Sequence, residues 1–199
     1  MDELEIIANK WNIPIIEDAA HAVGAKYKGL TIGSISDFTM FSFQAIKHIT
    51  TGDGGMLIVK NKELIDKAER VRWFGIDRKA KQAGIWENDI TEIGYKYQMT
   101  DIAASMGIAS LQEFDEVSTL RKKLFRVYCD ELTNFERVKI VGNDFDDREH
   151  AAWLFTIIVE DRYSLQEKLR ENKIESNQVH FRNDRYSIFN DFTNGKEFP

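Results

Sequence analysis

Apolar residues recur at helical spacing near the start of the chain, where Leu4, Ile7, Ala8 and Trp11 share one face at steps of three and four. This predicts a short helix over residues 4–11. Residues 13–16 form an almost continuous apolar run that holds Pro14 and ends at Glu17-Asp18, the pattern of a buried parallel strand. Gly29 and Gly33 punctuate residues 25–33, which read as an irregular hairpin. Two more apolar runs, 38–43 and 55–59, predict strands joined by a turn-rich loop that carries Lys47. Gly52, Gly54 and Gly55 in that loop permit backbone angles and close approaches that side chains forbid.

Helical periods then dominate. Leu64, Ile65, Ala68, Val71 and Arg72 predict a helix over 62–73, and 74–89 reads as loop. A second helix is expected over 100–114, with Asp101 near its start and Ile102, Met106, Ala109 and Leu111 turned inward. Its Ala, Gly and Ser content allows close packing against a neighbouring helix or subunit. A third helix over 117–132 has the length of a connector between domains. Strands are expected at 138–141 and 153–159, and a helix over 164–172 with Ser164 and Glu167 spaced as a capping box. The whole reads as an α/β chain, with a domain over residues 1–117 and a connector helix plus smaller domain over 118–199. No internal repeat or low-complexity segment appears.

With 199 residues, 43% hydrophobic and 30% charged, the chain can bury a sizeable core. A net charge of -6 argues against a nucleic-acid partner, which calls for a basic face. The run Arg121-Lys122-Lys123 reads as a solvated helix face. Cys129, the single cysteine, cannot form an internal disulfide, which fits a reducing cytoplasm. No apolar run approaches the roughly 18 residues of a membrane span, and MDELEIIANKWN is amphipathic and acidic, unlike a signal peptide. His21, His48, His150 and His180 are scattered without zinc-site spacing, so no metal site is expected.

The chemistry-bearing residues gather at strand ends. Asp18 and His21 follow the first strand-like run, Ser42 ends the next, and Lys47 lies in the loop beyond it. Carboxylate, imidazole, hydroxyl and amine make a kit for holding a cationic heteroaromatic cofactor and bonding covalently to it. A nucleophilic lysine must be neutral, yet a free lysine is protonated at neutral pH. A partly desolvated pocket corrects this, and Ile46 and Ile49 beside Lys47 are compatible with one. Taken singly, a surface lysine is the commoner reading of Lys47, while a surface or helix-cap role is the alternative for Asp18 and a backbone hydrogen bond the alternative for Ser42.

The stretches FTMFSFQAIKHITTGDGG (38–55) and IPIIEDAAHA (13–22) settle the choice. They resemble the DegT/DnrJ/StrS family, sugar aminotransferases dependent on pyridoxal phosphate. The resemblance implies a fold-type I architecture: the later part of a large, mostly parallel-sheet domain followed by part of a smaller α+β domain. It implies that Lys47 is the catalytic lysine bonded to the cofactor. Asp18 then pairs with the pyridine nitrogen, His21 lies beside the ring's phenolic oxygen, and Ser42 binds the phosphate. Glu17 and His48 are expected to be structural. The segment IGYKYQMTDIAASMG (93–107) resembles the family stretch that reaches a partner subunit's cofactor phosphate. Lys96 stands where members often carry Asn, so an ion pair with phosphate and an ordinary surface lysine both stay open. VHFRNDRYSIF (179–189) is similar to a substrate-side segment, which would turn His180 and Arg182 toward a sugar nucleotide. Surface pairing of Arg182 and Arg185 with Asp184 is equally open.

The implied reaction is amino transfer, from glutamate, to a nucleotide-linked keto-deoxyhexose for amino-sugar or surface-polysaccharide synthesis, in a homodimer with no nucleic-acid or membrane partner. Related enzymes that deoxygenate sugars carry histidine in place of the lysine, and Lys47 argues against them. The resemblance also implies an internal fragment, since members are about twice this long and their ring-stacking aromatic and Gly-Ser/Thr phosphate cradle fall upstream of Met1. The alternative to an active enzyme is therefore a folded remnant that binds cofactor or oligomerises without turnover.

Overall fold

The computed structural model describes residues 1–87, 89–143 and 145–189. Two compact units are present: Met1–Glu131 with Gly142–Phe155, and Leu132–Val141 with Thr156–Pro199. The helix that contains Val117 belongs to the first unit up to Glu131.

The first unit opens with α1 (Asp2–Trp11), closed at Asn12 by a left-handed residue whose N–H returns to Ala8 and Asn9. β1 (Ile16–Asp18) pairs in parallel with β4 (Phe38–Ser42), which pairs antiparallel with β5 (Gly55–Val59). β1 starts later than the apolar run 13–16 predicts. Pro14 has no N–H to give, and the Ile15 N–H is taken by the Asp37 carboxylate at 2.9 Å. Regular pairing therefore begins at Ile16, and Asp18 becomes the strand's last residue. Between β1 and β4, the expected hairpin appears as β2 (Lys26–Tyr27) and β3 (Leu30–Thr31), joined on its other side by β7 (Arg148–Glu149).

A 3-10 turn (Lys62–Leu64) runs into α2 (Ile65–Arg72). The expected loop 74–89 contains a short helix, α3 (Arg78–Gln82), because Asp77 accepts from the Ala80 N–H at 2.9 Å and caps it. Thr100 caps α4 (Asp101–Gln112), and α5 (Phe114–Leu132) begins three residues earlier than expected. Ile102, Met106, Ala109 and Leu111 do not turn inward. Ile102 is 79% exposed, and the face that meets the rest of the unit is built from Ala103, Ala104, Gly107 and Ser110. A helix apolar on most sides buries only the side its neighbours can approach, and small residues let the backbone come closest.

Buried positions of this unit include Ala8, Ala19, Ile35, Phe43, Ile49, Ala151 and Ala152. Thr39 on β4 is fully buried, and its hydroxyl, with that of Ser36, donates to the Glu17 carboxylate at 3.5 and 3.0 Å. Glu17 thus ties β1 to β4 by satisfying buried hydroxyls.

The second unit holds β6 (Val138–Ile140) paired antiparallel with β8 (Ile157–Val159), then α6 (Arg162–Glu171). The strand expected over 153–159 shortens to β8, which pairs only along the three residues of β6. The capping box at Ser164 is absent; Asp161 caps α6 instead, accepting from the Ser164 N–H at 3.0 Å. Among the described residues no helix is long and apolar enough to cross a membrane.

Candidate functional site

Residues 43–54 between β4 and β5 close on themselves. The Phe43 N–H donates to Gly54 O at 2.8 Å and the Thr51 N–H donates to Phe43 O at 2.9 Å, pinching the loop at its base. Ser42, the last residue of β4, accepts from the Gln44 N–H at 3.3 Å, and Gln44 Oε1 accepts from Ile46 N–H at 3.2 Å. On the far side, the Thr50 N–H donates to Ser110 Oγ of α4 at 3.2 Å. Gly52 takes φ 80° so that its N–H can reach Thr50 Oγ1 at 3.0 Å. Phe43, His48, Ile49 and Thr51 are buried while Lys47 is half-buried, so the lysine projects from a loop whose other side chains anchor it.

Burial pushes the Lys47 amine below its ordinary lysine value, and the nearby charge of Asp18 partly opposes that shift. The desolvation does not come from Ile46, which is 62% exposed. Trp153 covers the amine, its indole centroid 3.9 Å from Lys47 Nζ. Asp18, exposed at the end of β1, accepts from the Ala20 N–H at 3.1 Å, an arrangement that aims its carboxylate off the strand. His21, three residues on, stacks on the same indole with centroids 3.7 Å apart and planes at 25°. The structure thus brings His21 and Lys47 onto one aromatic ring that was expected in a strand, with the Asp18 charge acting on Lys47. The signal that could have found it was the tryptophan itself, a ring with one polar N–H to satisfy.

His48 is buried against Phe114, with ring centroids 6.4 Å apart, and its Nε2 has no hydrogen-bond partner among the described residues. Desolvation, reinforced by the charge of Arg121, lowers its proton affinity, so the imidazole beside Lys47 is neutral; a backbone hydrogen bond with Ala151 opposes the shift.

Lys96 is exposed; its backbone bridges Trp73, and its Nζ lies 5.3 Å from that ring's centroid. His180 and Arg182 lie in the second unit. The Arg182 guanidinium grips Asp184 with both prongs, Nε to Oδ1 at 3.0 Å and Nη2 to Oδ2 at 2.7 Å.

Residues 1–198 match the model of the DegT/DnrJ/EryC1/StrS aminotransferase family. A UDP-4-amino-4,6-dideoxy-N-acetyl-beta-L-altrosamine transaminase of Campylobacter jejuni is 35% identical over 189 residues, covering 92% of this chain and 48% of that protein. The crystal structure of AtS13 from Actinomadura melliaura superposes with a TM-score of 0.87 at 35% identity, covering 94% of this chain and 52% of that one. The PLP form of Spr1654 from Streptococcus pneumoniae gives a TM-score of 0.76 at 30% identity, over 94% and 49% of the two chains. The chain spans about half the length of the curated relatives it matches.

Proposed function

This chain belongs to the DegT/DnrJ/EryC1/StrS aminotransferase family, and we propose that it supplies the lysine-bearing half of a sugar aminotransferase acting on a nucleotide-linked keto-deoxyhexose. The observation that carries this reading is Lys47: an amine of lowered proton affinity on an anchored loop, with the Asp18 charge acting on it. The family's aminotransferases depend on pyridoxal phosphate. The residues fit that group, since a nucleophilic amine, a strand-end carboxylate, an imidazole and a loop-base hydroxyl are the donors it requires.

When bound, the cofactor supplies an electron sink for the carbon that gains or loses the amine. Asp18 would keep a proton on the ring nitrogen, and His21 would orient the ring through its oxygen. Lys47 would hold the covalent attachment and, once displaced from it, take and return the substrate proton through Nζ. Ser42 Oγ would bind the phosphate, joined by Lys96 from the partner subunit of a homodimer. His180 and Arg182 would face the nucleotide sugar, with glutamate as the amino donor. A cytoplasmic setting, where such substrates are made, accords with the single Cys129.

The test is borohydride reduction in the presence of pyridoxal phosphate, followed by peptide mapping. Label on Lys47 is expected. Label on Lys60, whose Nζ already donates to Ile35 O at 2.9 Å, or on Lys96 would sink the assignment.

A second reading, a folded remnant that takes up cofactor without turnover, draws on the half-length match and on the exposure of Ile16, Met56 and Leu57 on the main sheet. Cofactor uptake together with amino transfer to a keto sugar by this chain would exclude it.

A further inference from the structure

Trp153 reaches the Lys47 loop through three separate devices. His150 Nδ1 accepts from the Ala152 N–H at 2.7 Å and Ala152 takes φ 56°, which turns the chain out of line before the tryptophan. Arg121 of α5 donates from Nη1 to Trp153 O at 3.2 Å and fixes the backbone there. The indole Nε1–H then donates to Ile46 O at 3.0 Å, the carbonyl immediately before Lys47. The ring is therefore tied to the loop by its edge, leaving both faces for contact.

Two side chains meet the ring. The His21 imidazole, near-parallel at 3.7 Å between centroids, covers one face. Lys47 Nζ lies over the same ring at 3.9 Å from its centroid. The lysine and the histidine therefore both rest on the Trp153 ring. A flat ring behind the amine leaves its other side open to a reacting carbon, keeps water off it, and attracts its ammonium form through the ring quadrupole.

We propose that Trp153 is a positioning residue of this site: its indole backs the Lys47 amine and fixes the loop through Ile46 O. The proposal rests on the aminotransferase reading for its chemical purpose, though its geometry is independent of it. Burial of Lys47, which lowers its proton affinity, agrees with an apolar plane at its back.

The experiment is reductive methylation of the chain's lysines with 13C-formaldehyde, the Lys47 signal being assigned by its loss in Lys47→Arg. Ring current from the indole face should displace the Lys47 methyl resonance upfield of the other lysines. Trp153→Leu keeps the bulk and removes the ring, and should return the signal to the common position; Trp153→Phe should keep it displaced. In parallel, borohydride trapping of pyridoxal phosphate at Lys47 should slow at least about tenfold in Trp153→Leu, as expected when a reacting group is poorly held, with only part of the rate restored in Trp153→Phe, which keeps a ring but not the N–H to Ile46 O. A Lys47 resonance that is undisplaced in the original chain, or unmoved by Trp153→Leu, would overturn the proposal, as would unchanged trapping in Trp153→Leu. Failure of the aminotransferase reading looks different: the label would map to another lysine while the resonance pattern stood.

Discussion

Gly107 of α4 rests on Thr51 of the lysine loop so closely that a Cβ at 107 would stand 2.8 Å from Thr51 Cγ2. Thr51 is only 5% exposed and cannot swing aside, and the neighbouring Ser110 binds the Thr50 N–H. The lysine loop is therefore seated on the small-residue face of a helix.

Gly107→Ala should for that reason destabilise the chain. In an ordinary helix interior the change gains about 1 kcal/mol, but overpacking of this contact should cost about 1–3 kcal/mol. Thr51→Ser, which deletes Cγ2, should restore the loss in the double variant, giving a coupling energy on the order of 1 kcal/mol in urea unfolding. A Gly107→Ala chain more stable than the original would show that the contact is slack.

Asp18→Asn should leave cofactor bound in the full enzyme and slow amino transfer about 100-fold, roughly 3 kcal/mol. A second readout follows from sign. The Asp18 charge supports the ammonium of Lys47, so its removal lowers the lysine's proton affinity further. The pH profile for borohydride labelling of Lys47 should move to lower pH. A profile that stays in place would separate the two residues electrostatically.

Most of the frame was legible in the chain. The apolar runs on either side of residues 43–54 marked the strands β4 and β5 that hold the Lys47 loop, whereas the roles given to Lys47, Asp18 and His21 came from the resemblance of 13–22 and 38–55 to a family and not from spacing. What escaped was long-range. Trp153 follows Lys47 by more than a hundred positions and is brought to it by contacts from Arg121 and Ile46 O and by the turn at Ala152, none of which alternation or composition encodes. The inward face of α4 was misjudged for a related reason: period 3.6 identifies a helix, but where apolar residues occur on most sides, neighbours decide which side is buried. Cap residues were mistaken by a few positions at α6, where Asp161 and Ser164 both suit the role and geometry chose the first.

His48 and His150 supply a pH dependence of stability. Burial lowers the proton affinity of both in the folded chain, whereas an unfolded histidine titrates near about 6.5. Below that value the unfolded state binds protons that the folded state refuses. Stability is therefore full above it and declines as pH falls through about 6.5 and lower. Urea midpoints at pH 7.5 and 5.5 should show the decline, and His48→Asn should make it shallower. An equal drop in the His48→Asn chain would mean that His48 stays unprotonated in both states or charged in both.

Arg182 provides the last test, because its two-pronged grip on Asp184 admits two roles. The bond holds the Asp184 carboxyl below the usual carboxylate range and aligns the guanidinium plane. An aligned guanidinium is suited to a diphosphate, whose oxygens match its fork as a carboxylate does. If the sugar nucleotide binds there in the full enzyme, Arg182→Ala should raise KM for it at least about tenfold, the scale of a lost charge-assisted hydrogen bond, with kcat little changed. Arg182→Lys should recover only part of the loss, since a point charge cannot fork. Asp184→Asn should also raise KM, by releasing the guanidinium from its set orientation, but by less. KM values unaffected by Arg182→Ala would leave the pair as a local clasp of the segment 182–185 and remove Arg182 from the substrate site.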